Sequence, residues 1–142
     1  MIAESRTPET KRKHMRRINP ATIAGPFATY AHGVEVESNA RLLFGAGQTG
    51  VELDGTVPES IEDQATITWS NIKVILSEAN MEIADIVQLN MLLIDRADRD
   101  GAMAVRDAEL GPHRPASTLM YISGLANPAW KIEIDFIAAK ER

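Results

Sequence analysis

Lys131-Ile132-Glu133-Ile134-Asp135-Phe136-Ile137-Ala138-Ala139 is the stretch whose reading decides the fold. Successive side chains of a strand point to opposite faces, so Ile132, Ile134 and Phe136 share one face while Lys131, Glu133 and Asp135 share the other. This period of two predicts a strand over 131–138 with one face against a core. Acidic residues are depleted in strands, so two on one face call for water, a counter-charge or a site. Upstream, Arg114-Pro115-Ala116-Ser117-Thr118-Leu119 opens a second strand over 117–123, joined to the first through Gly124 and Pro128.

Moving towards the N-terminus, Asp98 or Asp100 can cap a helix that runs through Leu110, and Gly111-Pro112 ends it. Ile86 to Ile94 is nearly continuous apolar sequence and reads as a strand. Ser60 caps the clearest helix, with Glu62 and Asp63 in its first turn and Ile61, Ala65, Thr68, Ile72, Ile75, Leu76 and Ala79 at helical spacing. Tyr30 to Val36 alternates, Arg41 to Gln48 is a compact apolar run, and Asn39 lies between them. These two segments are expected to form a hairpin. Ile18 to Pro26 is punctuated by proline and glycine and reads as an extended lead-in. The order is β-β-α-β-α-β-β. Two helices can cover only one face of such a sheet, which predicts an α+β layer whose other face is polar or buried against another copy.

At 142 residues the chain suits one domain, able to bury about 68–70% of its unfolded surface. The net charge of −5 conceals an asymmetry, because residues 1–17 hold six Lys and Arg against two Glu. Residues 1–17 are therefore expected to be a basic, flexible extension and 18–142 the domain, with Met15 an alternative start. The extension lacks the apolar core of a secretory signal, and Glu4 and Glu9 disfavour a transit peptide. An acidic body disfavours nucleic acid as a partner. No apolar run approaches the roughly 18 residues of a membrane span, and cysteine is absent. A cytoplasmic protein without a membrane partner is the expectation. His14, His32 and His113 show no metal-ligand spacing. Gly45-Ala46-Gly47 is too short for a phosphate cradle, and no cofactor is expected.

Over roughly residues 18–139 the chain resembles the Rid (reactive intermediate deaminase, or YjgF-type) family. The resemblance lies in Tyr30-Ala31-His32-Gly33-Val34, the Gly47-Gln48 turn, Asp54-Gly55, Gln64 with Trp69-Ser70-Asn71-Ile72-Lys73, Asp85-Ile86-Val87, Pro115-Ala116, and Lys131-Ile132-Glu133-Ile134. It implies a chorismate-mutase-like fold, with two helices on one face of the sheet, and a homotrimer. Ligands would sit in three clefts between subunits. It also implies hydrolysis of imines and enamines to 2-oxo acids and ammonia. That chemistry needs a cation for the substrate carboxylate and an acid to manage protons while water adds to the C=N carbon.

The resemblance breaks at the cation. Deaminating members carry an Arg directly after the Pro-Ala pair, where this chain has Ser117. The turn that usually reads Ser-Gly-Gln is Ala46-Gly47-Gln48, and Met103 falls where an Asn is common. Glu133 matches the family acid and is the candidate catalytic residue. Tyr30, Ser117, Gln48 and Met103 are the candidate substrate-binding residues, and Arg114 is a candidate replacement cation. Each has a plainer alternative. Glu133 could pair with Lys131 or Arg41, Tyr30 could anchor the hairpin, and Arg114 could be a surface residue. His113 reads as solvated, His32 as a strand residue at the subunit seam, and Trp69 and Trp130 as packing. Two functions follow: a Rid-type deaminase acting on a non-standard imine or enamine, or a trimer that holds a small-molecule ligand without turning it over.

Overall fold

The computed structural model describes residues 14–142. Its elements are β1 (Met15–Ile18), β2 (Gly33–Val36), β3 (Arg41–Thr49), α1 (Ile61–Glu78), β4 (Ile86–Leu93), α2 (Arg99–Leu110), β5 (Ala116–Tyr121) and β6 (Ile132–Lys140). Short 3-10 turns at Ile83–Asp85 and Arg96–Asp98 lead into β4 and α2. The main sheet has the order β3-β6-β4-β5. β6 is antiparallel to both β3 and β4, whereas β4 and β5 run parallel. Parallel neighbours require a crossover, and α2 supplies it.

β6 alternates as its sequence predicts. Ile132, Ile134, Phe136 and Ala138 are buried, with half-buried residues between them as far as Ile137. Their partners continue the buried face across the sheet, Leu93 opposite Ile132, Met91 opposite Ile134 and Leu89 opposite Phe136. α1 covers this face with Ile61, Ala65, Trp69, Ile72 and Leu76, and α2 adds Ala102 and Leu110. Full burial of one such aliphatic side chain contributes about 1.5–3 kcal/mol. The Ser60 side chain accepts a hydrogen bond from the Asp63 amide and starts α1 where the sequence predicts. Gly111, at φ 55°, closes α2 in a conformation open mainly to glycine.

The N-terminal pairing differs from the expected hairpin. A turn does form, with the Ala40 amide donating to the Glu37 carbonyl. β2 nevertheless pairs with β1 in a separate two-stranded sheet, and β3 pairs with β6. The reason lies on β6, whose apolar face needs a neighbour with small residues. Gly45 lies opposite Phe136, and a side chain at 45 would collide with the Phe136 ring. β2 takes Met15–Ile18 instead, with Arg16 against Glu35 at 3.2 Å. The expected domain edge at residue 18 thus runs through β1, and residues 1–13 of the expected flexible extension lie outside the described residues.

The second sheet face is mixed in polarity, and no other described element of the chain covers it. It presents Leu42 (54% exposed), Phe44 (70%) and Met120 (47%). Glu133 and Asp135 share this face, Asp135 accepting a hydrogen bond from Asn90 at 2.8 Å.

Candidate functional site

A cavity of about 300 Å³ opens at the β5 edge on the helix side. Ser117, Leu119 and Tyr121 project from β5, because every second residue of that strand shares the face of Leu89, Met91 and Leu93. Met91 forms part of the floor, α2 contributes Arg99, Met103 and Arg106, and the turn into α2 contributes Arg96. Ala28 and Tyr30 close the remaining side. Their segment is clipped to β5 by a bridge between Ala31 and Ala116, the Ala31 amide donating to the Pro115 carbonyl at 2.9 Å. Tyr30 is further held by the Phe27 amide, which donates to its hydroxyl at 3.2 Å.

The most heavily tied wall residue is Arg106, only 2% exposed. Nη1 donates to Thr29 Oγ1 at 2.7 Å and to Asp107 Oδ1 at 2.9 Å, and Nη2 donates to the Thr29 carbonyl at 3.0 Å. The Thr29 hydroxyl in turn donates to Asp107 Oδ1 at 2.6 Å. Burial lowers the pKa of the Arg106 guanidinium while Asp107 opposes the shift. An arginine in that range remains charged, so the paired carboxylate is needed to offset the desolvation. This knot binds the Tyr30 segment to α2 and thereby shapes the cavity.

Of the residues singled out from sequence, Tyr30, Ser117 and Met103 converge on the cavity. Gln48 does not line it. Its register partner is Ile134 and its amide turns back to the Ala46 carbonyl at 3.0 Å. Arg114 does not line it either, because its guanidinium donates to the carbonyls of Gly111 and His113 and closes the α2–β5 loop. His113 is buried rather than solvated, with Nε2 2.6 Å from the Ile86 carbonyl. His32 Nε2 lies 2.8 Å from the Ala24 carbonyl. Trp69 is fully buried packing. Trp130 is half-buried, with an indole N–H that has no partner among the described residues.

Glu133 lies on the opposite face. It sits in one cross-sheet row with Thr49, Leu92 and Met120, whereas Ser117 sits in the row of Leu89, Phe136 and Gly45. Within one chain the sheet therefore separates the acid from the cavity. Neither suggested partner reaches it, since Lys131 donates to the Glu59 carbonyl and Arg41 to the Ala79 carbonyl. The Glu133 carboxylate has no hydrogen-bond or ion-pair partner among the described residues. It packs over Gly47, where a Cβ would stand 2.5 Å from Oε1. Gln64, by contrast, is wholly structural. It donates to the carbonyls of Pro58 and Ala129 and accepts from the Lys131 amide, fixing the start of β6 to α1.

Sequence reasoning missed Arg96, Arg99 and Arg106. The available signal was spacing, because Arg99, Met103 and Arg106 recur at helical intervals on α2. Among the described residues no group of three His, Cys, Asp or Glu could hold a metal ion, and no helix is long and apolar enough to cross a membrane.

The same fold is found in known proteins. The family model described as endoribonuclease L-PSP matches residues 21–140, and the chain belongs to this family, the YjgF or Rid proteins. The 2-iminobutanoate/2-iminopropanoate deaminase of Salmonella typhimurium is 30% identical over 125 residues, covering 85% of this chain and 91% of the relative. The structure of YyfB from Yersinia pestis, a Rid protein of unknown function, superposes with a TM-score of 0.76 at 25% identity, over 88% of this chain and 98% of that one. Escherichia coli TdcF with bound serine gives 0.67 at 24% identity, over 89% and 99%.

Proposed function

We propose that this protein is a Rid-type hydrolase that converts a non-standard imine or enamine to the carbonyl compound and ammonia, in clefts between the copies of a homotrimer. The observation that carries this reading is the placement of Glu133. It is a half-buried acid with no partner, held over Gly47 on a face that also exposes Phe44 and Leu42. A second copy packed on that face would supply its own cavity wall, with Tyr30, Ser117 and Met103, to the acid of the first. In such a cleft water adds to the C=N carbon as Glu133 takes a water proton and gives it to nitrogen; Glu133 then carries the hydroxyl proton of the tetrahedral adduct to the amine, so that C=O forms as ammonia leaves. Each proton taken is returned, so the acid is regenerated. The deaminase name of the Salmonella relative supports the reaction class.

A binding role without turnover is the second reading, favoured by Ser117 at the position of the family guanidinium. The family description also names an endoribonuclease, but the chain outside its N-terminal extension is acidic and suits RNA poorly. The experiment is a coupled ammonia assay on imines generated in situ. Small imino acids should turn over far more slowly than with an Arg-bearing relative. Glu133→Gln should lower kcat on the best substrate by about 10²–10⁴-fold without changing the assembly. Ligand binding with no ammonia release would establish the non-catalytic reading instead.

A further inference from the structure

The cavity lacks the guanidinium that Ser117 replaces, yet it is not short of positive charge. Arg96, Arg99 and Arg106 all line it, and among the described residues no Asp or Glu does. Two of these cations are matched, Arg106 by Asp107 at 2.9 Å and Arg99 by Asp100 at 3.4 Å. Arg96 has no carboxylate. Its guanidinium carbon lies 4.5 Å from the centre of the Tyr121 ring, and no described residue accepts a hydrogen bond from it. Stacking on an aromatic face restrains an arginine without satisfying its charge. Between these cations the lining is apolar, with Met91, Met103 and Leu119.

We propose that anion recognition has moved from β5 to the turn before α2, so that Arg96, backed by Arg106, holds a small monocarboxylate whose apolar body lies on Met91 and Met103. The inference rests on the cavity being the ligand site and deepens the reading above by making the ligand an anion rather than a neutral molecule. Arg106 suits the supporting role, because three of its N–H donors already fix it to Thr29 and Asp107. Arg96 is exposed and unpaired, and so can close on an incoming carboxylate with two parallel hydrogen bonds.

Benzoate and benzamide, equal in shape and different in charge, provide the test. Each is titrated into protein carrying ¹³C-methyl methionine, with the shifts of Met91 and Met103 as readout and Met81, a core residue that does not line the cavity, as reference. Wild-type protein should bind benzoate at least tenfold more tightly than benzamide, with an affinity that falls as salt rises. Arg96→Met should weaken benzoate about tenfold to a hundredfold, leave benzamide unchanged and leave the melting temperature near wild type. Equal affinity for acid and amide, unchanged benzoate affinity in Arg96→Met, inorganic phosphate competing as well as benzoate, shifts centred on Met81, or no saturable binding would each overturn the proposal. Ammonia release is scored separately. Benzoate binding without imine turnover rejects the enzymatic reading alone, and turnover with no effect of Arg96→Met on carboxylate affinity rejects this one alone.

Discussion

Gly47 determines where Glu133 can be. The acid lies across the glycine so closely that any side chain there must push it aside. The displaced group is the end of a flexible chain, so the cost in stability is small, while the cost in aim is large. Gly47→Ala should stay within about 1 kcal/mol of wild type in chemical denaturation and still lose turnover as Glu133→Gln does. Retained activity would show that the position of the acid is immaterial. The same residue scale marks where sequence reading fell short. Buried Arg106 was illegible because arginine is ordinarily a surface residue, and only the knot with Thr29 and Asp107, Thr29 lying 77 positions away in sequence, makes its burial tolerable. Tyr30, Ser117 and Met103 were found through family resemblance. No local pattern announces that a lead-in segment, a strand and a helix meet at one cavity.

At the scale of elements, period and capping carried the reading a long way. α1 begins at Ser60 as expected, β4 forms within the apolar run 86–94, β6 follows its apolar alternation, and α2 ends at Gly111. Pairing was less legible, since two neighbouring strands and a turn look alike whether they bond to each other or to distant partners. β1 was hidden as well, because Met15-Arg16-Arg17-Ile18 reads as a charged tail although it alternates in burial. The start of α2 offers a pH test. Asp98 has its pKa raised by loss of water, helped by Asp95 and Glu62 and opposed by Lys131. A carboxyl whose folded pKa lies above its unfolded value contributes stability below the unfolded value and loses it as pH rises through the folded one. The melting temperature of Asp98→Asn relative to wild type should therefore climb between pH 3.5 and pH 7. A constant difference would mean that Asp98 is not strained by burial.

For the whole molecule, the unanswered surface is the open sheet face. Leu42 and Phe44 on β3 and Met120 on β5 expose apolar side chains on the sheet face that α1 and α2 leave open. Two helices for one sheet already implied a second face that is polar or covered by another copy, but what meets that face is set by surfaces brought together only after folding. Phe44→Glu should leave the fold intact, since the ring makes little contact within the chain. It should reduce the mass seen by light scattering from that of an assembly to that of one chain. An unchanged mass would remove this face from the interface.

The sheet that stands between Ser117 and Glu133 has a genetic corollary. If each working centre borrows its acid from a neighbour, two inactive proteins can cure one another. Unfolding and refolding Arg96→Met with Glu133→Gln in equal amounts should yield mixed rings in which some seams inherit both intact halves, and activity should return in proportion to those seams. A centre contained within one chain could never be repaired by such mixing.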